Sequence, residues 1–231
     1  MSVLRRRFLM IDTGGGAPTA DSYIQNGLVF QLDGIEKGSD PTQWTDRKGG
    51  IGFPYIAATS EVKTNSVHFT GSGYLTGDAL ITPSFAYDSM TIEVACTYDG
   101  HATGNRVVIV CNVAPNYSFG WNGGGNNASI RCSSGVNKPM WTSGSANNMK
   151  THSITSDHSL ANINVSMTKG SNSSFSNNSG VIELGGRSYN STSGYVGDVY
   201  AIRIYNRQLT LAEMAFNQAI DNERFNLGIA T

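Results

Sequence analysis

Acids, histidines and cysteines are the side chains of this sequence that could make or break bonds, and none of them falls into a catalytic pattern. Glycoside hydrolysis needs two carboxyl groups opposed across a cleft. Glu93 stands alone beside Thr91 and Thr97, and Glu183 and Asp198 are single acids in other segments. His68, His101, His152 and His158 are scattered and belong to no Ser-His-Asp arrangement. The step from His152 to His158 is poor zinc geometry for a strand. Cys96, Cys111 and Cys132 cannot all pair within one chain and match no metal-ligand spacing. Cys96 and Cys111 lie in apolar runs and read as buried thiols. The expectation is a protein that is not an enzyme.

Binding chemistry is better represented. Flat aromatic faces suit sugar rings and amide side chains suit their hydroxyls, and Tyr and Trp add a polar handle to an apolar face. Tyr117, Trp121, Asn122, Asn126, Asn127 and Trp141 supply both within one block of the chain. Two readings stay open for the aromatics, because Tyr117, Phe119 and Trp121 at spacing two also suit the core face of a strand. Trp141 follows Pro139 and Met140 in a loop-like context and is the better candidate for an exposed platform. The run Gly123–Gly125 is not a phosphate cradle, since no Lys-Ser/Thr follows it.

The framework that must position these residues is β. Of 231 residues, 27 are Gly, 26 Ser and 21 Asn, about a third of the chain, while charged residues are 14%. Turn formers in this quantity, with few helix formers, predict many short strands. Alternation predicts them at Gly27–Gly34, Ser66–Thr70, Thr91–Tyr98, Tyr117–Trp121, Ala161–Lys169 and Tyr195–Tyr205. The run Arg106–Cys111 suits burial on both sides. In the last strand Val196, Asp198, Tyr200, Ile202 and Ile204 are expected on one face. One helix is predicted after Thr210, which forms a capping box with Glu213. Leu211, Met214, Ala215 and Ala219 would be its apolar stripe, laid on the sheets as a lid.

Net charge is −1, so the chain has no electrostatic footprint for a nucleic-acid backbone. No stretch approaches the roughly 18 apolar residues of a membrane span. Residues 1–22 read as an arm, with Arg5, Arg6, Arg7, Phe8 and Leu9 as its docking set and Thr13–Pro18 as a flexible joint. Residues 23–231 read as one domain. The apolar run Phe8–Ile11 is shorter than the roughly 7–15 residues of a signal peptide, so no Sec leader is expected.

The segments GLVFQLDG, VHFTGSGYLTG, SMTIEVACTYDG and VIELGGR, closed by GYVGDVYAIRIYNRQLTLAEM, resemble the laminin-G-like, concanavalin-A-like domains. The likeness covers about 25–225. It implies an all-β, two-sheet antiparallel jelly-roll sandwich with one short C-terminal helix and an extended N-terminal arm. Glycosidases on this fold carry an E-x-D-x-x-E strand, which this sequence lacks. Relatives often hold a structural calcium, which takes oxygen ligands. Asp33 and Asp198 would be its ligands here, with hydrogen bonding to turn amides as the alternative. The overall style of the chain also resembles proteins encoded by phages and prophages of gut bacteria. That likeness implies a virion protein, made in the host cytoplasm and present in many copies. Its arm would dock on other virion proteins and its jelly roll would touch host glycans. A bacterial surface carbohydrate-binding module is the alternative, and a glycoside hydrolase a more distant one.

Overall fold

The computed structural model describes residues 16–80, 90–99, 106–111, 117–122, 127–133, 137–143, 151–154, 159–161, 167–169, 181–186 and 194–229. The strands, in chain order, are β1 (Leu28–Asp33), β2 (Gln43–Thr45), β3 (Gly52–Pro54), β4 (Ser60–Val62), β5 (Val67–Thr70), β6 (Leu75–Leu80), β7 (Thr91–Tyr98) and β8 (Arg106–Cys111). They continue with β9 (Tyr117–Asn122), β10 (Asn127–Ser133), β11 (Asn137–Ser143), β12 (Thr151–Ile154), β13 (Ser159–Ala161), β14 (Met167–Lys169), β15 (Val181–Leu184) and β16 (Val196–Tyr205). One helix, α1 (Leu211–Phe225), ends the fold.

The strands form two seven-stranded antiparallel sheets and a small β2–β3 ribbon. The first sheet runs β13-β12-β7-β16-β5-β4, with β1 also paired to β16. The second runs β14-β11-β10-β9-β8-β15-β6. The core lies between them. Phe30, Leu32, Val67, Phe69, Ile92, Val94, Cys96, Ile202 and Ile204 of the first sheet meet Leu75, Val108, Ile109, Ile182 and Leu184 of the second. Trp44 and Phe53 from the ribbon complete it. The architecture is therefore an all-β, jelly-roll-like sandwich with one C-terminal helix. Burial sends Cys96, a free thiol, up to about 12.

Long β16 is the organising strand. One of its edges pairs along β7, while its other edge pairs first with β5 and then with β1. Where β1 ends, Gly34 donates to the Tyr200 carbonyl at 2.6 Å. A Cβ on Gly34 would stand 2.2 Å from the Asn65 carbonyl oxygen, so only glycine fits this junction.

Three expectations are corrected here. A bulge between Val199 and Ala201 switches the faces of β16. Val199 therefore joins Ile202 and Ile204 in the core, while Tyr200 and Ala201 pack against Phe225 and Leu227. Residues 161–169 are not one strand, because β13 belongs to the first sheet and β14 to the second. The stripe of α1 is also rotated. Leu211 is 49% exposed and Ala215 exposed, and the buried face is Met214, Asn217, Ile220, Asp221 and Phe225. The reason is the surface beneath the helix, which carries charge.

The cap of α1 is as predicted, with Thr210 and Glu213 bonded reciprocally, and Leu209, just before it, clusters with Met214. Ahead of residue 23 the chain is already packed. Pro18 and Ala20 are buried and Ala20–Ser22 is a turn of 3-10 helix. Among the described residues, no helix is long and apolar enough to cross a membrane.

Candidate functional site

The sugar-binding candidates fall on three neighbouring strands of the second sheet. Tyr117, Trp121 and Asn122 are on β9, Asn127 opens β10, and Trp141 is on β11. Asn126 lies outside the described residues. In register, Tyr117 pairs with Cys132, Trp121 with Ala128, Asn122 with Asn127, and Ile130 with both Phe119 and Trp141. Trp141 is thus in a strand and not in a loop. Its strand accommodates Pro139 through a register shift between Ile130 and Arg131, since proline cannot donate to a regular ladder. One row runs Leu184–Ile109–Phe119–Ile130–Trp141, and its first two members belong to the core. The docking candidates Arg5, Arg6, Arg7, Phe8 and Leu9 also lie outside the described residues.

Asp33 and Asp198 are engaged by protein groups. Asp33 Oδ1 accepts from the turn amides of Ile35 and Glu36 at 2.9 Å each, and Oδ2 takes Arg224 at 2.8 Å. Asp198 lies 3.0 Å from Lys63 Nζ and 3.3 Å from His68 Nδ1, and accepts from Ser66 Oγ. Among the described residues, no group of three or more His, Cys, Asp or Glu is arranged to hold a metal.

Glu93, read from sequence as a lone acid on a polar face, is the centre of a buried ionic clasp. Register places it opposite Arg203. Arg203 Nε donates to Glu93 at 2.8 Å, and Nη1 and Nη2 grip Asp221 at 2.8 and 2.6 Å. Asn217, one turn before Asp221, donates to Glu93 and to Tyr205 Oη. Ser153 donates to Glu93, and Tyr23 donates to Asp221 while its ring lies 4.0 Å under the Arg203 guanidinium. Burial raises the pKa of Glu93, against the pull of Arg203. Burial also works against the charge of Arg203, but Asp221 and Glu93 outweigh it and hold its pKa well above the usual value. Glu93, Arg203 and Asp221 are each about 1% exposed. No substrate atom reaches them while α1 is in place. The clasp ties the helix and the Pro18–Tyr23 segment to the sheet, aided by Arg224 donating to the Pro18 carbonyl. Its sequence signal was an arginine in an apolar strand and an amide and an acid spaced i, i+4 on the helix.

An open groove of about 420 Å³ lies at the β6 edge of the second sheet. Pro54, Ile56, Thr59, Gly73, Tyr74 and Thr76 line it. These residues come from separate segments, so no spacing in the sequence announces them. The fold positions them tightly. A Cβ on Gly73 would stand 2.6 Å from Thr59 Oγ1, and one on Gly186 would stand 2.6 Å from the Gly73 carbonyl oxygen.

No protein-family profile and no curated protein sequence matches the chain. Solved structures resemble it in fold. A Trypanosoma rangeli sialidase in complex with sialic acid superposes with a TM-score of 0.54 at 14% identity, over 89% of this chain and 34% of the sialidase. The chain thus spans about a third of that enzyme. Domain 4 of AbnA, a GH43 extracellular arabinanase from Geobacillus stearothermophilus, in complex with arabinotriose, gives a TM-score of 0.52 at 11% identity, over 81% of this chain and 96% of that domain. The botulinum neurotoxin serotype C1 binding domain gives 0.56 at 11% identity, over 83% of this chain and 52% of that one. At these identities the likeness is one of fold.

Proposed function

We propose that this chain is a non-catalytic, glycan-binding β-sandwich displayed on a phage particle and joined to other virion proteins through its N-terminal arm. The observation that carries the binding half is the match to nearly the whole of AbnA domain 4, a domain seen with arabinotriose. Asn122 and Asn127, paired across β9 and β10, supply amide chemistry for a glycan, and Trp121 and Trp141, at the other parity of the same sheet, supply aromatic chemistry. The non-catalytic reading is supported by Glu93, a buried acid that is sealed under α1 and paired with Arg203. The virion half is supported by Arg5–Leu9 standing ahead of a glycine-rich joint and by the likeness to phage-encoded chains. Many copies on one particle turn weak contacts into firm adhesion.

The test is retention of the multivalently displayed chain on host surface polysaccharide. Retention without release of reducing sugar is expected, weakened by Trp121→Ala or Trp141→Ala. No retention at high valency would remove the glycan reading, and steady sugar release would make the protein a hydrolase. Deleting residues 1–15 spares the Pro18–Tyr23 clasp and is expected to leave a folded domain that fails to join the particle. The extracellular source of the AbnA domain favours one rival, a bacterial carbohydrate-binding module. That rival predicts retention by a monomer and no incorporation into particles.

A further inference from the structure

We infer that the groove between Tyr74 and Ile56 is a saccharide subsite selective for neutral sugars over acidic ones. The inference rests on the glycan-binding reading and adds a place and a charge preference to it. The groove has the two surfaces that a sugar ring requires. Tyr74, Pro54 and the 48%-exposed Ile56 give an apolar wall for the C–H face of the ring. Thr59 Oγ1, Tyr74 Oη and Thr76 Oγ1 give hydroxyls, and none of the three has a hydrogen-bond partner among the described residues. A hydroxyl can donate one hydrogen bond and accept two, so these three groups can serve either end of a sugar hydroxyl. Glycine at 73 and 186 keeps the floor low, because side chains there would collide with Thr59 and with the Gly73 backbone. The volume, about 420 Å³, falls in the range of small-ligand sites.

Charge decides the class of sugar. Among the described residues that line it, none is ionisable in the neutral range and none is a cation. The nearest charges in register are acids. Glu183 stands opposite Thr76, and Asp78 lies two residues further along β6, with Oδ1 accepting from Gly52 N at 2.8 Å. A carboxylate sugar would be desolvated here with no cation among the described lining residues to receive it, which is costly. A neutral ring meets no such penalty.

The test uses the full chain, followed by backbone amide NMR. Arabinotriose and cellotriose are the neutral probes, and N-acetylneuraminic acid and trigalacturonic acid the acidic ones. The expected result is that a neutral probe shifts the amides of Gly73–Thr76, with affinity reduced at least tenfold by Tyr74→Ala and severalfold by the exposed Thr76→Ala. The acidic probes are expected to bind there at least tenfold more weakly. The same spectra report whether each variant is folded, and Tyr74→Phe, which keeps the ring, is expected to retain part of the binding. Tighter binding of an acidic probe in the groove would overturn the inference. So would probe-induced shifts confined to β9–β11, or polysaccharide retention that is indifferent to Tyr74→Ala. Those outcomes would leave the glycan-binding reading standing. Loss of all probe binding together with loss of polysaccharide retention would overturn both.

Discussion

The clasp under α1 and the groove beside β6 treat polar groups in opposite ways. In the clasp, Arg203, Glu93 and Asp221 are sealed from water and bonded to one another, with Asn217, Ser153, Tyr205 and Tyr23 filling in around them. In the groove half-buried Tyr74, exposed Thr76 and buried Thr59 line an open space, and their hydroxyls bond to no described residue. The difference follows from access to water. A buried charge must be paired, because its lost hydration is not otherwise replaced. A hydroxyl at an open groove is served by water and gives that water up when a ligand arrives. Strongly displaced ionisation commonly marks functional sites. Here it marks the joint that closes a helix onto a sheet, and the open, uncharged surface is the better place to look for a ligand.

The largest effect is expected where the clasp loses its cation. Arg203→Ala leaves the Glu93 and Asp221 carboxylates buried without their cation, which costs about 3–5 kcal/mol. For a domain of this size that lowers the melting temperature by roughly 6–20 °C. Thr76→Ala, at the groove, should stay within about 0.5 kcal/mol of the parent in the same melts. Equal losses in both variants would erase the contrast between the two regions.

The helix face offers the next test. Ile220→Ala removes a buried side chain and should cost about 2–5 kcal/mol, whereas Leu211→Ala should cost almost nothing, because Leu211 is 49% exposed. Denaturant titration of the two variants separates the observed face from the one expected by counting apolar residues. That count failed for a definite reason. Asn217 and Asp221 are polar and were assigned to solvent, but a charged sheet surface recruits polar partners to the inner face of the helix. The cap, by contrast, was legible because Thr210 and Glu213 act through local spacing alone. Alternation likewise revealed β1, β5 and β7, whose inward residues Phe30, Leu32, Val67, Phe69, Ile92 and Val94 are all in the core. It misassigned β16, since the bulge at Tyr200 has no mark in the sequence. The aromatics of the block 117–141 could be chosen by type, but their pairing across β9, β10 and β11 depends on register. The groove could not be read at all, because Ile56, Thr59 and Tyr74 meet only through the close packing of Gly73 and Gly186.

A smaller effect is expected at the rim of the clasp. Tyr23→Phe removes a hydroxyl that donates to Asp221 at 2.8 Å and leaves the ring under Arg203. Asp221 keeps both of its bonds from Arg203, so the loss should be about 1–1.5 kcal/mol by thermal or chemical denaturation. A loss as large as that of Arg203→Ala would mean that the network fails as a unit and not bond by bond.

The smallest effect lies outside the clasp, at the start of the same helix. Glu213 is bonded by Arg207 at 2.7 Å and by the Thr210 amide, and the Arg207 hydrogen bond leads in lowering its pKa from 4.5 to about 2. Because the folded value is the lower one, this group stabilises the fold above pH 4.5. That contribution fades as pH falls from 4.5 towards 2. The pair is roughly a quarter exposed on both sides, so solvent screening holds its worth below about 1 kcal/mol. Glu213→Gln keeps a side chain that can still close the capping box but loses the charge. Its melting temperature should fall slightly below the parent's at pH 7, converge with it near pH 2, and show a smaller gap in high salt. A gap that persists unchanged at low pH would assign the contribution to the neutral hydrogen bonds. The exposed ion pair would then add nothing to the fold, unlike the sealed pairs of the clasp, whose charge cannot be removed without cost.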